Sequence, residues 1–286
     1  GDYLGKTIQV VPHITDEIKR RIRLSAANGE YDFIITEIGG TIGDIESAPF
    51  MEAIRQMRWE LGKDACNVHL TYVPYLKAAD ELKTKPTQHS VKEMQGMGIQ
   101  PDVLILRTEK HLDQAILLKV ANFCNVAPDC VVQSEDLPSI YEVPVNMQRQ
   151  GLDAAILRRL QLPVGETPAL GPWRNFLERM HHATLETHIA LVGKYDLQDA
   201  YKSIREALVQ AGIYNDRKVR LHFVNSEHLN EENIEESLEG MAGVVICPGF
   251  GQRGIEGKIL AAQYTRTHDI PTFGICLGHQ LSALAA

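Results

Sequence analysis

A cysteine held between two glycines is where bond-making chemistry is easiest to see in this sequence. Gly274-Ile275-Cys276-Leu277-Gly278-His279-Gln280 follows an apolar run and opens a helical pattern. A sharp strand-to-helix turn leaves room only for small flanking residues and aims the sulfur out of the sheet. Backbone N–H groups at the start of the following helix favour the thiolate and could hold a tetrahedral oxyanion. The other reading is a buried structural Cys between two packing glycines, and a bare Gly-x-Cys-x-Gly does not choose between them. A second glycine-rich run, Pro248-Gly249-Phe250-Gly251-Gln252-Arg253-Gly254, follows the apolar stretch ending at Cys247. It lets backbone amides approach a ligand closely, although a plain βα turn has the same composition.

The first half carries charge in similar places. Thr36-Glu37-Ile38-Gly39-Gly40-Thr41 follows an apolar run. A carboxylate such as Glu37 at the C-terminal end of a strand is placed to hold Mg²⁺ on a phosphate; a solvated loop glutamate is the alternative. Asp44 and Glu46 flank Ile45 and could accept from sugar hydroxyls or a base edge, or cap the helix ahead of Pro49. Lys83, Thr84, Lys85, Pro86, Thr87 and Gln88 crowd two cations and several hydroxyl or amide donors together. A triphosphate wants this set, and a Lys-rich surface turn would show it too.

Short apolar runs alternate with amphipathic stretches, the pattern of βα units around mostly parallel sheets. Strands are expected at 31–36, 68–73 and 103–106, with helices at 49–61 and 114–123. In the second half, strands are expected at 188–192, 219–224, 243–247 and 272–275. Helices are expected at 201–211 (ended by Gly212), 233–238 and 255–267. Three prolines and two glycines between Gln161 and Pro172 make that segment the linker candidate, followed by a helical connector at 173–180. The expected division is 1–162, a linker at 163–187, and 188–286.

The formal net charge is −8 with 23% charged residues. That argues against a nucleic-acid polymer as partner, which wants a basic face, but not against mononucleotides. Five cysteines without a CxxC pair read as reduced thiols of a cytoplasmic protein. No apolar run reaches the roughly 18 residues of a membrane helix. The chain opens on the turn-like Gly1-Asp2-Tyr3-Leu4-Gly5, without Met, and closes on the helix-like 281–286. Both read as cut ends of a longer chain, with processed or engineered termini as the alternative.

The seven-residue elbow resembles that of class I, triad-type glutamine amidotransferases. Gly1–Gly5, Gln9-Val10-Val11-Pro12-His13-Ile14-Thr15, the run from Glu37 to Ser47, and Lys83 to Ser90 resemble the CTP synthase family. So do Val192-Gly193-Lys194-Tyr195 and Asp199-Ala200-Tyr201-Lys202-Ser203-Ile204. The resemblance covers essentially the whole chain in order.

It implies an α/β fold of two doubly wound, mostly parallel sheets. One is a P-loop-like synthetase domain lacking its N-terminal part. The other is a truncated, flavodoxin-like glutaminase domain. It implies ATP-dependent amination of UTP to CTP with ammonia from glutamine, and Cys276 as nucleophile. Gly249, Leu277, Gly278, His279 and Gln280 would lie at the glutamine and oxyanion site. Glu37 would be a Mg²⁺ ligand. Asp44, Ile45, Glu46, Lys83 to Gln88 and Lys119 would meet UTP or CTP, and His13 matches a position linked to the reaction centre. GTP is a candidate activator, and a homotetramer, with filaments, the expected assembly. The family usually has a further Gly where this chain has Pro248, and most CTP synthases have Met where it has His279.

The family's glycine-rich ATP loop with its Lys, its early Mg²⁺-binding Asp, and its downstream His-x-Glu have no counterpart here. This chain alone is therefore expected to catalyse neither half-reaction. Three other readings stand beside this one: another glutamine-dependent synthetase, a non-catalytic regulatory protein binding CTP or UTP, and a P-loop module of the partition-ATPase kind.

Overall fold

A computed structural model describes residues 5–195 and 199–286. The first four residues of the opening motif therefore lie outside the described residues. The chain divides into two compact units, Gly1–Ala169 and Leu170–Ala286.

In the first unit α1 (Thr15–Leu24) and α2 (Ala48–Leu61) precede β1 (Val68–Val73). A short antiparallel hairpin follows, β2 (Tyr75–Leu76) with β3 (Glu81–Leu82), and leads into α3 (Lys85–Gly96). Then come β4 (Val103–Thr108), α4 (Gln114–Cys124), β5 (Val131–Glu135), α5 (Val143–Arg149) and α6 (Leu152–Arg159). The sheet is parallel, in the order β1-β4-β5. Its core joins Val73, Leu104 and Leu106 to Val91 of α3, Val120 of α4 and Ala155 of α6.

Local chemistry sets the boundaries. Pro49 sits in the first turn of α2, where its missing N–H costs nothing. Asp113 caps α4 by accepting from the Ile116 N–H at 2.8 Å, and Asn125 ends it in the left-handed region.

The expected strand at 31–36 does not form. Tyr31 is 64% and Ile35 96% exposed, and no described strand pairs with this segment. A β-prone apolar run becomes a strand only where a neighbour accepts its ladder bonds. The nearest thing to an open ladder, β1, likewise leaves Val68, Leu70 and Tyr72 exposed on one face.

The second unit begins with α7 (Gly171–His182), then β6 (Leu185–Gly193), α8 (Lys202–Tyr214), β7 (Arg217–Asn225) and α9 (Ile234–Leu238). It ends with β8 (Gly243–Ile246), α10 (Ile255–Thr267), β9 (Thr272–Gly274) and α11 (Leu277–Leu284). The sheet is wholly parallel, in the order β7-β6-β8-β9. Helices cover both faces. Ile204 and Leu208 of α8 pack on Leu191 and Val245; Ala261 and Ala262 of α10 pack on Ala190, Val192 and Ile246.

Helix α8 does not stop at Gly212 as expected but runs through it to Tyr214. A Cβ on Gly212 would lie 2.4 Å from Val219 Cγ2. The glycine lets α8 approach β7 rather than ending the helix. No helix among the described residues is long and apolar enough to cross a membrane.

Candidate functional site

Strands β8 and β9 are neighbours, with Ile246 paired to Gly274. The loop after β8 and the turn after β9 therefore leave the same end of the sheet, where ligands of open α/β sheets bind. Cys276 occupies that second turn at φ 53°, ψ −112°. A non-glycine residue there is strained, and such strain gathers where a side chain must be presented.

The flanking glycines are forced. A Cβ on Gly278 would lie 2.0 Å from the Ile246 carbonyl oxygen. One on Gly274 would lie 2.7 Å from the Gly278 backbone. The turn closes through Gly278 N–H to Ile275 O at 2.9 Å and Gln280 N–H to Cys276 O at 3.1 Å.

Cys276 is exposed, whereas Cys124, Cys130 and Cys247 are buried and Cys66 half-buried. Burial pushes the Cys247 thiol up to about 12, and Cys66 and Cys124 up to about 11. Accessibility thus singles out Cys276 for chemistry. His279 and Gln280 are exposed on the first turn of α11, Leu277 is half-buried and Gly278 buried. The N–H groups of Gly249 and Leu277 have no hydrogen-bond partner among the described residues. Cys276 likewise has no histidine bonded to it among them.

Three residues to which the sequence gives no role hold the carbonyls of the loop after β8. Lys258, on α10, is fully buried. Its Nζ donates to Cys247 O at 2.7 Å and Pro248 O at 3.4 Å. Lys194, at the end of β6, is 4% exposed and donates to Phe250 O. Tyr201 donates to Pro248 O at 3.4 Å and accepts from the Lys194 N–H at 3.2 Å. Burial lowers the Lys258 pKa. A helical Lys reads from sequence as solvated, so nothing local signals Lys258. Lys194 and Tyr201 lay within family-like strings but had no role there.

In the first unit, Ile38 and Ile42 pack on Met51, Met94 and Ile99, anchoring the 37–47 segment. Glu37, Asp44, Ile45 and Glu46 stay exposed. The Asp44 carboxylate accepts from the Thr41 N–H at 3.0 Å and makes no forward cap into the helix ahead of Pro49.

The Lys83–Gln88 segment starts α3. Thr87 is fully buried, its hydroxyl 3.0 Å from Thr71 Oγ1 and 3.1 Å from Tyr72 O. Gln88 donates to Thr84 Oγ1 at 3.1 Å, and both are buried. The two lysines face outward: Lys83 pairs with Glu81, and Lys85 lies 5.7 Å over the Phe123 ring of α4. Lys119 is exposed one turn before Phe123, on the same stretch of helix surface. His13 sits beside α1, its Nδ1 accepting from the Gln9 N–H at 3.1 Å. No group of three or more His, Cys, Asp or Glu residues that could hold a metal occurs among the described residues.

An exposed cysteine on a strained turn, over a parallel sheet and beside a glycine loop, gives the second unit the form of a nucleophile elbow on an open α/β sheet. Comparison with known families agrees. A family model described as "CTP synthase N-terminus" matches residues 1–162, and one described as "Glutamine amidotransferase class-I" matches 196–286. The chain belongs to the CTP synthase family.

It is 69% identical over 286 residues to a CTP synthase from Bacteroides thetaiotaomicron, covering 99% of this chain and 53% of that one. The figures for the Porphyromonas gingivalis CTP synthase are 60% over 281 residues, 98% and 52%. The chain thus spans about half the length of the relatives it matches. A solved Trypanosoma brucei CTPS glutaminase domain with bound acivicin is 35% identical over 35% of this chain and 39% of that one, at a TM-score of 0.33.

Proposed function

We propose that this chain carries the glutamine-cleaving nucleophile and the pyrimidine-nucleotide loops of an enzyme that makes CTP from UTP, ATP and glutamine. The observation that carries it is the elbow: Cys276 strained and exposed, between glycines that tolerate no Cβ. Family membership supports this reaction.

At the elbow, the Cys276 sulfur attacks the side-chain carbonyl carbon of glutamine. A C–S bond forms and the carbonyl electrons move onto oxygen, facing the free N–H groups of Gly249 and Leu277. Collapse expels ammonia, with the thiol proton ending on the departing nitrogen, and leaves a thioester. The proton transfer needs a base, and no described histidine is bonded to Cys276 to serve as one. The chain alone should therefore form little ammonia.

In the first unit, Lys83 and Lys85 offer outward-facing cations to a triphosphate. Thr87 acts from within, fixing α3 on β1. Glu37 offers a single carboxylate, with no cluster of three metal-binding side chains around it among the described residues. That suits Mg²⁺ carried on nucleotide phosphates rather than a protein-enclosed ion; when bound, it neutralises phosphate charge. ATP as phosphate donor to the UTP 4-oxygen, GTP activation, a tetramer and a cytoplasmic setting rest on family membership.

The test is alkylation of the chain by a chloroketone analogue of glutamine, with mass-spectrometric mapping. Selective modification of Cys276, slowed by free glutamine, is expected. Random labelling, or labelling indifferent to glutamine, would overturn the glutaminase reading.

A further inference from the structure

The fully buried ammonium of Lys258 lies under the glycine loop, with no carboxylate bonded to it among the described residues. Burying an unpaired cation is costly, so its hydrogen bonds must matter to the fold or to the site. Its partners, and those of Lys194 and Tyr201, are the carbonyl oxygens of Cys247, Pro248 and Phe250. All three carbonyls therefore turn inward, toward the two lysines.

A trans peptide unit is planar, with its C=O and the following N–H pointing in opposite directions. An inward Pro248 carbonyl sends the Gly249 N–H outward. An inward Phe250 carbonyl does the same for the Gly251 N–H. The Cys247 carbonyl is followed by Pro248, which has no N–H to misdirect. Space agrees with hydrogen bonding: a Cβ on Gly249 would sit 3.0 Å from Lys194 Cε and 3.5 Å from Lys258 Nζ. A side chain at Gly249 would press first on Lys194 and then on Lys258, so the loop rests on both lysines.

We propose that Lys258 and Lys194 form a buried clamp that orients the Pro248–Gly251 loop, aiming its backbone N–H groups at the oxyanion formed over Cys276. Both are positioning residues, since neither touches the reacting atoms. The proposal rests on the glutaminase reading above and deepens it. The clamp also answers the Pro248 departure: with the loop held from below by cations, an additional glycine is not needed for its carbonyls to turn in.

The test compares the 286-residue chain with Lys258→Met, which keeps the side chain's bulk and removes the ammonium. Two electrophiles are used. The chloroketone analogue of glutamine passes through a tetrahedral adduct and needs the oriented N–H groups, whereas iodoacetamide does not. Losing one oxyanion donor costs about 10²-fold or more. Lys258→Met should therefore lower the maximal chloroketone rate at Cys276 by about 10²-fold, with the half-saturating concentration and the iodoacetamide rate little changed.

Equal chloroketone rates in the two proteins would overturn the clamp. A wild-type chain that shows no glutamine-protected labelling would sink the glutaminase reading itself, and it would do so before any variant is made. An unfolded variant would announce itself by iodoacetamide labelling of Cys66, Cys124, Cys130 and Cys247. Lys194→Met, which frees the other end of the loop, then carries the test and should show the same split. Unfolding of both variants would make the lysines purely structural and refute the proposal.

Discussion

Gly278→Ala is the substitution for which the structure makes the sharpest demand. The added methyl would sit 2.0 Å from the Ile246 carbonyl oxygen and 3.1 Å from Ile246 Cγ2. A carbon normally keeps about 3.3 Å or more from a carbonyl oxygen. Helix α11 must therefore move roughly 1.3 Å away from β8, or β8 must bend. Neither is soft, because Ile246 and Ala285 belong to the same buried cluster and Leu281 is also buried. Overpacking of this kind costs about 1–3 kcal/mol, and backbone meeting backbone belongs at the upper end. About 3 kcal/mol is roughly two decades in the unfolding equilibrium.

The same shift displaces Cys276 by about 1 Å, enough to cost about 10²-fold in reaction rate. Urea unfolding followed through Trp173, which lies in the second unit against Phe176, reads the first quantity. Trp59, already 87% exposed, adds little to that signal. Chloroketone alkylation of Cys276 reads the second. Gly165→Ala is the control, since nothing lies within 4 Å of a Cβ there. If Gly278→Ala unfolds at the wild-type urea midpoint and alkylates at the wild-type rate, the elbow geometry described here is wrong.

Thr87→Val should destabilise the first unit by about 1–2 kcal/mol, because it strips a buried hydroxyl from Thr71 and the Tyr72 carbonyl; denaturant midpoints check it, and UTP affinity should not change. Lys83→Ala with Lys85→Ala should weaken UTP or CTP binding to this chain at least about tenfold by titration calorimetry, since each removes a charge-assisted donor. Alkaline stability offers a signed test. The buried thiols keep their protons in the folded chain up to about 11 for Cys66 and Cys124 and about 12 for Cys247, against an ordinary value of 9.0. Their contribution is full below pH 9 and falls as pH rises beyond it. Lys258 runs the other way: burial lowers its pKa from 10.5, so the unfolded chain holds the extra proton in that window and stability rises with pH there. Lys258→Met should therefore steepen the alkaline decline of the second unit, measured as urea midpoints from about pH 8 to 10.

Most of the fold could be read from hydrophobic runs, because the inner strands β4 and β8 are largely buried and announce themselves as short apolar stretches, while β1 alternates exposed and buried residues. β1 begins and ends where the pattern Val68 to Val73 places it, and α10 runs from Ile255 to Thr267 as read. The misreadings share one cause: each depended on a neighbour far away in sequence. The 31–36 run has the composition of a strand but no described ladder partner. Gly212 has the look of a helix stop, yet its meaning is set by Val219 on the next strand. The burial of Thr87 against Thr71, which sets beside its expected nucleotide role a structural one, likewise could not be known before α3 was laid on β1.

Legibility of the site divides on the same line. Cys276 and its glycines could be read locally, because the turn's steric demand falls within five residues. The clamp could not, because Lys194, Tyr201 and Lys258 come from three different elements and meet only at the end of the sheet. Their placement also bears on how the site tolerates change. The elbow allows no side chain at Gly274 or Gly278, since backbone fills the space. At Gly249 the Cβ contacts are side-chain atoms of two lysines. The loop thus takes its shape from charges rather than from packed backbone. A change in the loop's own sequence, such as proline at 248, is tolerable so long as Cys247, Pro248 and Phe250 still present carbonyls to the lysines, whereas loss of Lys258 leaves the buried Cys247 carbonyl, and loss of Lys194 the Phe250 carbonyl, without the side-chain donor each now has. Variation should therefore be freer in the loop than in the lysines beneath it. A library randomised at Pro248 and Gln252 should retain glutamine-protected labelling of Cys276 in many members, and one randomised at Lys194 and Lys258 in few; equal survival of the two libraries would show that the loop holds its shape unaided.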